Sequence, residues 1–300
     1  MSMADTAAAT AVRPAVPAAA APGPVPAWLR LFRSELRLIF GRLRNLALLA
    51  ALAALPVLIG IALRLARPGG GGGAGGPASS FIDQLAGNGV FLTLIALTIM
   101  LALVLPLTVA VVSGDSVAGE AGSGTLRNLL TVPAGRTRLL AVKYAGVVVF
   151  ALTGCAVVVA ASLAAGAALF PIGPVTLLSG DTVPLWDGLV RVFFVTLYVA
   201  AALSALGAIG LAISTFTEHP IGAIAAVLMI GLVSEVADNI PQFAVVRPYL
   251  PTHWWLSFDA LLRSPIATGD LLHGLLSFGV YIVIFCAMAW ARFTSADVTA

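Results

Sequence analysis

Six long apolar runs separated by short polar stretches dominate the chain, near residues 45–66, 90–113, 142–170, 188–213, 220–237 and 273–292. At 1.5 Å per residue each is long enough, or nearly so, to cross about 30 Å of hydrocarbon as a helix, the fifth being the shortest. The pattern predicts an all-α polytopic membrane protein with six transmembrane helices. Ahead of the first run, Trp28 to Asn45 (WLRLFRSELRLIFGRLRN) repeats Leu29, Phe32, Leu36, Ile39, Phe40 and Leu43 at three- and four-residue steps. Arg30, Arg33, Arg37 and Arg44 form a band beside that face. This predicts an amphipathic helix lying in the membrane interface with its arginines at anionic headgroups. An ordinary cationic flank before a span explains the same residues, and both readings put this end in the cytoplasm.

Residues 1–26 carry Pro14, Pro17, Pro22, Pro24 and Pro26 and almost no charge. The prolines exclude the helical core of a signal peptide, which leaves a disordered cytoplasmic tail as the expectation. One six-span domain then covers 27–293, and 294–300 is a cytoplasmic end. The connection after the first run, RPGGGGGAGGPASS, reads as a flexible glycine linker. Pro56 and Pro106 fall within spans, where they either kink the helix or are tolerated without consequence. Small residues recur four apart, as in Ser204, Ala208 and Ala212 or Ala156, Ala160 and Ala164, a spacing that lets helices approach closely.

Composition sharpens the class. The 300 residues are 60% hydrophobic and 10% charged, against about 25% charged in an ordinary soluble domain. So few charges cannot cover a surface in water, and the lipid bilayer is the expected solvent. The net charge of +3 carries no nucleic-acid signal. Cys155 and Cys286 both fall inside apolar runs, where they read as small buried hydrophobes. With the amino end inside, the inner segments hold eleven basic residues and the outer ones five (Arg64, Arg67, Arg191, Arg247 and Arg263). That bias predicts both ends inside a cell membrane.

The last outer segment runs from Val236 to Gly274 and is rich in aromatics. Trp254, Trp255, Phe258, Leu261 and Leu262 fall on one face, with Asp259 and Arg263 as an i,i+4 pair on the other. A re-entrant or interfacial helix with both tryptophans at headgroup level fits, as does a simple aromatic belt before the next span.

The polar stretch Gly114–Lys143 is the chemically richest part of the chain. It carries Glu120 among glycines, Arg127, Arg136 and Arg138, and the only lysine, Lys143. A phosphate-binding P-loop needs Gly-Lys-[Ser/Thr], but Lys143 stands between Val142 and Tyr144, so this chain holds no such nucleotide cradle. The glycines at 119, 122 and 124 do not make a dinucleotide fingerprint. His219, His253 and His273 lack metal-ligand spacing. No span carries a histidine and an acid to activate a serine, and no span centre carries the charge expected of an ion-coupled carrier. No catalytic residue, metal or cofactor is therefore expected in this chain, and any energy source lies outside it.

The run from Glu120 to Tyr144 resembles the first cytoplasmic loop of the ABC-2 type permease family. Glu120, Gly124, Thr125, Leu126, Leu129, Leu130, Pro133, Arg136 and Lys143 occupy the places of that pattern. An interfacial helix before span one, a short fourth-to-fifth turn and a long last outer loop are similar too. The resemblance spans about residues 27–293; the glycine-rich linker is shorter than in members with outer domains. It implies a transmembrane subunit that exports its cargo with ATP and magnesium bound by separate ABC ATPase subunits, and that works as a dimer with a second copy or a homologue. It also implies that the segment Glu120–Lys143, with the Leu126, Leu129 and Leu130 ridge flanked by Arg127, is a coupling helix docking on the ATPase. Spans so poor in charge suit an apolar or amphipathic cargo such as a drug, antibiotic or lipid. A force-transmitting subunit acting on an outer partner, an ion-coupled secondary carrier and an intramembrane enzyme remain as alternatives.

Overall fold

The computed structural model describes residues 27–65, 88–122 and 135–295. The expectations for the tail 1–26, for the glycine linker, and for Gly124, Thr125, Leu126, Arg127, Leu129, Leu130 and Pro133 lie outside the described residues.

The chain is an all-α bundle. Helix α1 (Ala27–Gly41) is short and amphipathic, and α2 (Leu43–Leu65) is apolar all round. After them come α3 (Phe91–Ala102), α4 (Val104–Gly122), α5 (Arg136–Leu169), α6 (Leu185–Ser214), α7 (Pro220–Asp238) and α8 (Thr268–Ser295). Six of these, α2 and α4 to α8, are long and apolar enough to cross a membrane. A helix that is hydrophobic on every side has no soluble face, so these elements are stable only in hydrocarbon or inside a protein.

The second span departs from the expected continuous run over 90–113. It breaks at Leu103, whose dihedral angles (φ −150°, ψ −48°) lie outside the helical region. Pro106 accounts for the break. Its nitrogen has no hydrogen to give the Ala102 carbonyl, and its ring crowds that carbonyl one turn back. The helix resumes at once, with the Leu107 amide donating to the Leu103 carbonyl at 2.9 Å.

Beyond the break α4 continues through Ser113 to Gly122, and α5 begins at Arg136. Gly114–Gly122 and Arg136–Lys143 are thus helical, and both helices reach further into the polar stretch than its composition implied. Helix α5 has 34 residues, about 51 Å at 1.5 Å per residue. That exceeds the roughly 30 Å of hydrocarbon by several turns.

Helix α6 forms the centre and packs against α4, α5, α7 and α8. Its run of small residues permits this, with Ser204, Ala208 and Ala212 all buried. The bundle has two ends. The loop end gathers the α1–α2 junction, the facing ends of α4 and α5, the turn at 215–219 and the end of α8. There Ser116 and Ser214 meet at 3.4 Å, and Arg136 donates to the Thr294 carbonyl at 3.0 Å.

The hairpin end carries a two-stranded antiparallel hairpin, β1 (Val175–Thr176) with β2 (Thr182–Val183), turning at Gly180 with its positive φ of 89°. It also carries three 3-10 turns, Pro241–Phe243, Arg247–Tyr249 and Trp255–Leu262. Backbone bonds knit this end together. The Leu178 amide donates to the Leu262 carbonyl at 2.9 Å, and the Asn88 side chain donates to the carbonyls of Gly173 and Pro174. Arg191 donates to the carbonyls of Leu261 and Arg263. Gly89 and Gly166 touch backbone to backbone, and a Cβ on Gly89 would lie 2.6 Å from the Gly166 carbonyl carbon.

The aromatic segment before α8 forms a 3-10 helix rather than a regular α-helix. Its 3-10 helix folds back against α6 and α8, and Trp255 is only 5% exposed. Trp254 is half-buried; its indole donates to the Pro248 carbonyl at 3.0 Å and stacks on His273. The apolar face read from the sequence exists, but it is turned into the bundle. Tyr198 of α6 holds it there by donating to the Trp254 carbonyl at 2.8 Å. Asp259 and Arg263 do form their i,i+4 pair, at 3.1 Å.

Candidate functional site: a charged cluster at the loop end

Three acids and three bases from four helices meet at the loop end. The α1 helix buries the face bearing Leu31, Glu35 and Ile39 against α5, while Arg30, Arg33 and Arg37 stay on its exposed side. Glu35 is the only acid of that helix, and one-turn spacing places it between two apolar neighbours. At the α1–α2 junction the Asn45 side chain donates to the Ile39 carbonyl at 2.8 Å. This satisfies a carbonyl that the end of α1 would leave orphaned. The turn then presents Arg42 and Arg44 to α4.

Lys143, two turns into α5, is 1% exposed. Its Nζ lies 2.6 Å from Glu120 Oε1 and 3.4 Å from Glu35 Oε1. Arg42 and Arg44 both donate to Asp115 Oδ2, the latter at 2.9 Å. A buried cation is tolerated only when paired, because its desolvation costs several kcal/mol. The cluster meets that condition with two carboxylates for one ammonium and two guanidiniums for one carboxylate. Its formal charges cancel. A cavity of about 20 Å³ between α1 and α4, lined by Glu35, Arg42, Asp115 and Glu120 among others, is large enough for about one water.

Glu120 and Lys143 flank residues 123–134 on either side, and their pairing ties the last turn of α4 to the first turns of α5. Glu35 adds α1 to the same knot. Both were picked out by sequence, but as parts of a polar loop; the structure puts each inside a helix, buried and facing the other. Arg136 starts α5 and bonds to the Thr294 carbonyl near the end of α8. Sequence reasoning missed Glu35 and Asp115. The usable signal for Glu35 was a single carboxylate on the apolar stripe of an arginine-rich helix, a position that demands a cation across from it.

Six apolar helices around a small-residue centre make this a multi-pass membrane protein. A family model described as ABC-2 family transporter protein matches residues 39–298, and the chain belongs to that family. It is a membrane permease subunit of an ABC transporter, and the family implies association with an ABC ATPase subunit. The sequence matches none of the curated proteins.

Proposed function

We propose that this permease exports an apolar or amphipathic compound, driven by ATP hydrolysed in separate ATPase subunits that dock on the segment from Gly124 to Pro133. The loop end, with both termini, faces the cytoplasm, and two copies or a copy and a homologue form the conduit. Arg30, Arg33 and Arg37, exposed on α1, lie at the headgroups on that side.

The observation that carries this reading is the buried pairing of Glu120 with Lys143 across the ends of that segment. A push on residues 123–134 cannot move one span alone: the pair carries it into α4 and α5 together, and Glu35 passes it to α1. Rigid elements joined this way rock as a unit, which is what alternation between inward- and outward-facing forms requires. The apolar character of the spans supports the cargo class. The basic bias of the loop end supports the orientation.

The test is a pull-down of tagged permease from native membranes, read as vanadate-sensitive ATP hydrolysis in the eluate. Wild type brings the activity with it. Leu126→Asp, in the docking ridge, reduces it at least tenfold while the amount of inserted permease is unchanged. Equal ATPase recovery with both proteins would remove residues 124–133 from the docking role.

A further inference from the structure

We propose that the hairpin end binds one bilayer phospholipid, with an acyl chain in a side cavity and the headgroup on the Asp259–Arg263 pair. The cavity measures about 510 Å³ and opens between α2, α3, the hairpin connection and the 3-10 helix Trp255–Leu262. That volume falls in the range of about 300–1,000 Å³ typical of small-molecule sites. Phe91, Leu94, Phe258 and Leu262 form the floor, each less than a tenth exposed. Ile99 and Leu256, about half exposed, form the mouth. Asp259 is the one charged residue among the described lining.

Three features select the occupant. The lining is predominantly apolar, with Asp259 and Thr98 its polar members, so water in its depth is poorly partnered. An empty cavity forfeits the dispersion contacts its walls would otherwise make. The spans place the mouth beside hydrocarbon, so an acyl chain reaches it without crossing water and restores those contacts. The rim then supplies a charge pattern for a zwitterionic headgroup: the Arg263 guanidinium for the phosphate and the Asp259 carboxylate for the ammonium, with the two side chains 3.1 Å apart and both about half exposed. Arg191, bonded to the carbonyls of Leu261 and Arg263, fixes the rim in place. The inference is independent of cargo and of ATPase docking.

Native mass spectrometry of the permease released from nanodiscs of palmitoyl-oleoyl phosphatidylethanolamine tests it. Wild type retains one lipid per chain through mild activation. Leu94→Trp, which fills the floor, lowers retention at least tenfold. Arg263→Ala, at an exposed site that leaves the core untouched, lowers it about threefold or more. In discs containing equal phosphatidylglycerol, wild type prefers the ethanolamine lipid and Asp259→Ala loses the preference. A control, Ile221→Trp on the exposed side of α7, retains lipid like wild type. Retention that is absent in wild type, or equal in wild type, Leu94→Trp and Arg263→Ala, would overturn the proposal, whether another part of the protein or a second copy fills the space.

Discussion

The two ends of the bundle are held by different forces. At the loop end, charged side chains from α1, α4 and α5 and the α1–α2 junction lock together in a charge-balanced knot around the buried Lys143. At the hairpin end, backbone carbonyls are the common acceptors, taking bonds from the Gly89 and Leu178 amides and from the Asn88, Arg191 and Tyr198 side chains, and His253 and Asp238 pair at 2.6 Å. A backbone bond survives most substitutions. A buried ion pair does not, because removing one partner strands the other. The loop end is therefore the chemically specified part of the molecule, and the hairpin end is specified by shape.

The sharpest way to break this contrast is to remove the cation. Lys143→Met leaves Glu35 and Glu120 facing each other without a base, and is expected to destabilise the protein by about 3–5 kcal/mol in detergent unfolding. Adding Glu120→Leu to that variant should recover part of the loss. A Lys143→Met protein as stable as wild type would show that the knot contributes nothing. At the other end, Gly89→Ala forces a methyl group onto the Gly166 backbone and should cost about 1–3 kcal/mol in the same assay. A neutral result would mean that the α3 start and the α5 end separate freely. The smallest effect is expected for Asp115→Asn. Its partners Arg42 and Arg44 are about half exposed, so water screens the pair, and the loss should not exceed about 1 kcal/mol. A loss as large as that of Lys143→Met would place Asp115 on an equal footing with the buried lysine.

Much of this architecture was legible in the sequence because hydrocarbon is an undemanding solvent. Long apolar runs have no alternative to becoming helices in it, so the all-α, six-span class followed from the pattern alone. The helix boundaries near charge were less legible. Glycine, serine and acidic residues from Gly114 to Gly122 look like a loop, yet buried partners hold them in α4. The pairing of Glu120 with Lys143 needed three dimensions, since 23 residues separate them along the chain. The tryptophans were ambiguous for a related reason. An aromatic cluster at a span boundary fits a headgroup belt and a folded-back core equally well by composition, and the burial of Trp255 and the Tyr198 bond to the Trp254 carbonyl are packing facts that composition does not carry.

The interruption at Leu103 has a mechanical consequence. Pro106 has already removed one backbone hydrogen bond at that point, so bending there gives up one bond fewer than bending an unbroken helix would. The second span is thus two rods joined at a knuckle, α4 fastened to the ionic knot and α3 to the hairpin cap. A displacement of α4 at the loop end would be taken up at this joint before it reached α3 and the apolar pouch beside it.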